Sequence, residues 1–73
     1  MMTTKTMSLQ ELLRQVDSRV VIHHYGGSTN EGVLSCGEYT AVVKWEISGN
    51  AGITRTGETH VVYDDIVGFD ILT

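Results

Sequence analysis

Proline is absent from this 73-residue chain, and cysteine occurs once, at Cys36. Without proline, every strand residue keeps an N–H to donate to a ladder. A single thiol excludes an internal disulfide, and no Cys/His spacing of zinc-site type is present. Cations are scarce as well: Lys plus Arg number 5 against 9 Asp plus Glu, for a net charge of −4 with neutral histidines. That balance excludes a broad polycationic surface for nucleic acid, but not a local pocket. The apolar runs are too short to span a membrane, and "MMTTKTMSLQ" lacks the apolar stretch of a signal peptide. The expectation is a cytoplasmic protein without membrane contact, its Cys36 reduced.

A chain this short is one domain and buries only about 60% of the surface its unfolded form exposes. Its own core supplies roughly 3–5 kcal/mol. With disulfides and metals set aside, oligomerisation is the remaining source of stability, so a protomer of a homo-oligomer is expected.

The pattern along the chain is mostly that of a β-protein. Residues 1–7 are polar and without period, and read as a frayed tail; residues 8–73 read as the domain. In "SLQELLRQV", Ser8 and Glu11 have capping-box spacing, and Leu9, Leu12, Leu13 and Val16 fall at i, i+3, i+4 and i+7. This predicts one short helix over 8–16, its apolar stripe packed on a sheet. From Arg19 the period becomes two, and five strands are predicted over 19–72. "RVVIHHY" is followed by the turn "GGSTN", and "EGVLSC" is separated from "GEYTAVVKWEI" by a bend at Gly37. "SGNAGITRTGE", residues 48–58, is a long connection, part of it able to extend its flanking strands. "THVVY" and "VGFDIL" are joined by the tight corner "DDI". One helix and five short strands, bent at glycines, predict a closed, strongly bent antiparallel small barrel.

Few side chains suggest chemistry. His23 and His24 are adjacent on a strand and face opposite sides; one packed and one exposed is the simple expectation, with a cross-strand meeting with His60 as the alternative. No acid–base or nucleophile constellation is recognisable, so no enzyme, cofactor or metal site is expected. Trp45 reads as core or interface, and Tyr25, Tyr39 and Tyr63 as packing ahead of ligand stacking. Asp64 and Asp65 have several readings. They are turn formers, or interprotomer partners for Arg14, Arg19 or Arg55, or a metal-binding or ligand-repelling ring.

In two stretches the chain resembles the Sm-like proteins, most closely the bacterial Hfq branch. "GGSTNEGVLSCGEYTAVV" is similar to the first half of that family's signature, with Gly32, an apolar pair, a bend, the aromatic Tyr39 and an apolar run. "HVVYDDIVGFDIL" is similar to the second half, an apolar strand ending in Tyr63, two polar residues, Ile66 and a final strand. The resemblance implies an N-terminal helix, a five-stranded bent (SH3-like) barrel, and a cyclic ring of roughly five to seven protomers. In such rings the fourth strand of one protomer pairs with the fifth of the next. That implies an interface through Val61, Val62, Tyr63, Val67, Phe69 and Ile71, which would also close open strand edges.

The resemblance further implies an RNA-binding inner rim. Tyr39 matches its stacking aromatic, Gln10 a glutamine on the helix, Glu38 the position of an edge-reading amide, and Tyr63 the residue before a basic pair. Asp64 and Asp65 stand where that pair is Lys and His. One carboxylate about 6 Å from a phosphate repels it by roughly 3 kcal/mol at an effective dielectric near 20, against about 1–3 kcal/mol for stacking one base. The expected function is therefore single-stranded RNA or oligonucleotide binding, weak or in an atypical mode. The alternative is a ring-forming scaffold or protein-interaction module without RNA binding.

Overall fold

The structure is a computed structural model and describes residues 2–72. Its elements in chain order are β1 (Met2–Thr6), α1 (Leu9–Leu13), β2 (Arg19–His24), β3 (Thr29–Cys36), β4 (Thr40–Ser48), β5 (Thr54–Val62) and β6 (Ile66–Leu72), with short 3-10 turns at Asn50–Gly52 and Tyr63–Asp65. They form one six-stranded antiparallel sheet in the order β1-β6-β2-β3-β4-β5.

The mostly-β expectation holds, and the corner expected at "DDI", residues 64–66, lies one residue earlier, at Tyr63–Asp65, with Ile66 already in β6. The strand count changes, because residues 2–6 are a strand and not a frayed tail. β1 runs along β6 with Met2 opposite Leu72 and Thr6 opposite Gly68. "MTTKT" carries no apolar alternation, since Thr3, Thr4, Lys5 and Thr6 are all exposed. Backbone pairing to an open neighbour, not burial, recruits this strand, so sequence period could not reveal it. The sheet is open: β1 and β5 are its edges and do not pair with each other.

The core lies on one face. Val20 and Ile22 of β2, Leu34 of β3, Ala41 and Val43 of β4, Val61 of β5, and Ile66 and Phe69 of β6 are buried together with Leu12 of α1. Alternation puts Val20 opposite Ile71, and Ile22 opposite Phe69. β3 crosses β4 so closely at Gly32 that a Cβ there would overlap the Lys44 carbonyl and the Val43 side chain.

Three local expectations are corrected. The helix spans Leu9–Leu13, shorter than 8–16; Ser8 is its N-cap but makes no side-chain capping bond. Only Leu12 of the stripe is buried, while Leu9, Leu13 and Val16 remain 46%, 48% and 39% exposed. The sequence from Gly37 closes a hairpin in place of a bend, with Cys36 opposite Ala41 and the Gly37 N–H donating to the Thr40 carbonyl. The connection predicted over 48–58 shrinks to residues 49–53, because β4 and β5 pair from Thr40 opposite Val62 out to Ser48 opposite Thr54. Ala51 and Gly52 take left-handed φ values of 63° and 74° to close that turn.

Gly32→Ala should destabilise the protein by about 2–3 kcal/mol, since backbone and not a flexible side chain occupies the Cβ position. A urea denaturation midpoint equal to that of the unsubstituted chain would show that β3 and β4 do not approach so closely.

Candidate functional site

Two turns meet at one end of the sheet. The first, Gly37–Thr40, joins β3 to β4; the second, Tyr63–Asp65, joins β5 to β6. They are tied by the Tyr63 N–H donating to the Tyr39 carbonyl at 3.3 Å and by the Tyr63 hydroxyl donating to the Gly37 carbonyl at 2.7 Å. The β2–β3 turn joins them, because the Tyr25 N–H donates to the Asp65 carbonyl at 3.2 Å. This gathers Glu38, Tyr39, Tyr63, Asp64 and Asp65, as the sequence reading expected. Gln10 is exposed on α1, and no hydrogen bond among the described residues links it to this corner.

The corner is aromatic and acidic. Tyr25 and Tyr39 are 71% and 74% exposed, and Glu38, Asp64 and Asp65 are exposed beside them. Among the described residues no lysine or arginine pairs with any of these carboxylates. Arg14 pairs with Glu11, and Arg19 with Glu31. Tyr63 differs from the other two rings. It is half-buried against the core, and burial, followed by the neighbouring Cys36 thiol, pushes its phenol up to about 12. It therefore stays a hydrogen-bond donor and locks the two turns together. Asp65 has a local partner: His24 Nδ1 lies 3.1 Å from its carboxylate, and Asn30 Nδ2 lies against His24 Nε2. A ring carrying its proton on Nδ1 satisfies both contacts. The turn-former reading of this aspartate thus gains a specific partner that the sequence did not single out.

The interface expected from the resemblance is largely used up within the chain. Val61 and Phe69 are 3% and 0% exposed, and Tyr63 and Ile71 pack against the same core. Val62 and Val67 alone of that set remain exposed, at 54% and 42%. β6 has β2 on one side and β1 on the other, so no edge of it is left for a neighbouring protomer.

Sequence reasoning missed one cluster. Asp70, on the sheet face away from the core, is 6% exposed. Its carboxylate accepts from the Thr4 hydroxyl at 2.7 Å and lies 2.8 Å from His23 Nε2. His23 sits opposite Gly68, where the absence of a Cβ admits the Lys5 backbone carbonyl of β1 beside Asp70. The Thr4 and His23 hydrogen bonds hold the Asp70 carboxyl below its ordinary range, against the opposing effect of burial. The set is not a nucleophilic triad: the threonine proton points at the carboxylate, not at the imidazole. Its effect is to fasten β1 to β6 and β2. An aspartate inside the apolar run "VGFDIL" was the available signal. His60 does not join His23 or His24 but lies 3.4 Å from Glu58, and no group of His, Cys, Asp and Glu able to hold a metal occurs among the described residues.

No family model, curated protein or solved structure matches this chain.

Tyr63→Phe should cost about 1 kcal/mol at neutral pH. Because the folded phenol is raised, that contribution is present below the ordinary tyrosine value near 10 and fades as pH rises through about 12. Absorbance titration of the variant should lose a phenol step near pH 12; loss of a step at the ordinary value near 10 would contradict the burial of Tyr63 beside Cys36. Asp70→Asn should work at the opposite end of the pH scale. The lowered carboxyl stabilises the fold above its unfolded value, and the effect is lost as pH falls through the folded one. Thermal melts should show the variant less stable than the parent at pH 7 and closer to it in acid. A constant difference down to pH 2 would contradict the network.

Proposed function

We propose that the chain is a self-assembling Sm-like module, its sheet the bent small barrel of that family lengthened by β1, and that it serves as a protein-interaction scaffold in the cytoplasm and not as an RNA chaperone. The observation that carries this reading is the acidic corner. Glu38, Asp64 and Asp65 lie exposed on the same two joined turns as Tyr39, with no lysine or arginine paired to them among the described residues. A phosphate placed there meets repulsion of roughly 3 kcal/mol per nearby carboxylate, which outweighs stacking on one ring.

Assembly is supported by the free edges of β1 and β5. In this alternating six-strand ladder they run in opposite senses. Opposite senses are what an antiparallel junction between copies requires, and a head-to-tail junction of that kind closes into a ring when the rotation between neighbours divides a full turn. The junction lies one strand further out than the resemblance implies.

The second reading, weak single-stranded RNA binding, is favoured by Tyr39, whose 74% exposed ring is free to stack on a base.

Native mass spectrometry should give a closed multimer free of nucleic acid. Oligo-U and oligo-A should leave fluorescence polarisation unchanged at low salt, with or without magnesium. The pair Asp64→Lys and Asp65→His should then create measurable RNA affinity, tightening binding about tenfold or more. Binding by the unsubstituted chain would favour the second reading, and a variant still inert toward RNA would remove the acids from the argument.

A further inference from the structure

β4 and β5 extend beyond the rest of the sheet. β3 pairs with β4 only as far as Lys44, whereas β5 follows β4 to Ser48. From Trp45 to Gly57 the chain is therefore a two-stranded ribbon. A ribbon of two strands is marginal in water without an apolar face packed on something. This one has such a face. The Trp45 ring lies across Gly57, where any Cβ would overlap it. Ile47, on the same side of β4, is 60% exposed, and Ile53 at the tip is 62% exposed. Ile47 and Ile53 share a surface hollow of about 410 Å³ with Arg55.

The same chain has a second apolar surface without a partner. Leu9 and Leu13 lie one turn apart on α1, with Val16 just beyond, and all remain well exposed. Leu12 is the one residue of this stripe that the sheet buries. Glu11, Arg14 and Asp17 flank the stripe. Glu11 is already paired with Arg14 at 3.6 Å, which leaves Asp17 as the acid without an ion pair among the described residues, and Arg55 is the charged residue of the tip hollow. The two surfaces are thus apolar at their centres and of opposite charge at their rims. Exposed apolar patches with polar rims mark interaction sites.

We propose that the β4–β5 ribbon docks onto α1 of a second copy of this chain, placing Ile47 and Ile53 on Leu9 and Leu13 with Arg55 toward Asp17. The contact deepens the assembly reading above and rests on it in one respect, the side of the neighbour that the ribbon reaches. α1 follows β1 after only Met7 and Ser8. An antiparallel junction of β5 along the neighbour's β1 directs the Thr54 end of β5 toward the neighbour's Thr6, and so toward its helix. β5 has 9 residues and β1 has 5, so the ribbon overhangs β1 by about 14 Å at 3.4 Å per residue, enough to lie across one or two helical turns. Each copy gives its ribbon and receives one on its helix, so the contact is head-to-tail.

The test uses the full chain in two variants, Ile47→Lys/Ile53→Lys and Leu9→Lys/Leu13→Lys. All four positions are exposed, and far-UV circular dichroism checks that each variant keeps its fold. Light scattering with native mass spectrometry should show that each variant alone loses the multimer. An equimolar mixture should form a heterodimer and nothing larger, because one intact ribbon and one intact helix remain to pair. Trp45, the single tryptophan, should shift its emission to the red in either variant alone. If the parent chain is monomeric at all concentrations, the docking proposal and the assembly reading both fall. If the parent assembles and both variants keep its mass, the ribbon contact is overturned while pairing through the β1 and β5 edges stands. If the variants dissociate but their mixture yields no heterodimer, ribbon-to-helix docking is overturned in favour of like-to-like contact.

Discussion

Pairing of β6 on both sides is the constraint from which the rest of the structure follows. Phe69 and Ile66 bring this strand into the core, and its backbone needs a partner on each flank. β2 supplies one, and the polar segment Met2–Thr6 supplies the other. Thr4, Asp70 and His23 then hold the outer strand to the two inside it. With β6 enclosed, the unpaired groups of the sheet sit on β1 and β5, at opposite ends of the ladder. The strand edges left open for backbone pairing follow from that displacement.

The turn end of the sheet is governed by electrostatics. Tyr63 fixes two turns by donating to the Gly37 carbonyl, and the platform so formed presents tyrosine rings among carboxylates. Rings alone would suit a nucleobase. Rings among acids suit a partner that brings positive charge, since cations are attracted both to the carboxylates and to the aromatic faces. The net charge of −4 points the same way.

Much of this was legible in the residues. The period of two from Arg19 located the strands, and "DDI" marked the corner before β6 to within one residue. The adjacency of Glu38, Tyr39, Tyr63 and the aspartates also emerged, through the resemblance to a known signature. β1 was not legible, because a threonine-rich strand that buries no side-chain face leaves no period to read. The Asp70 cluster was hidden for a related reason: its members lie far apart in sequence and meet only through the β1–β6–β2 register. The stripe on α1 was read correctly as apolar but assigned to the chain's own sheet, whereas only Leu12 is spent there. Periodicity identifies a face that needs covering, not the molecule that covers it.

Hydrogen exchange at single-residue resolution on β6 tests the enclosure of that strand most directly. The Met7 N–H donates to the Val67 carbonyl, so by alternation the amides of Phe69 and Ile71 face β1 while those of Gly68 and Asp70 face β2. The account predicts slow exchange for both sets in the full chain, and loss of protection at Phe69 and Ile71 alone when residues 1–7 are removed. Fast exchange at Phe69 and Ile71 in the full chain, beside protected Gly68 and Asp70, would contradict it.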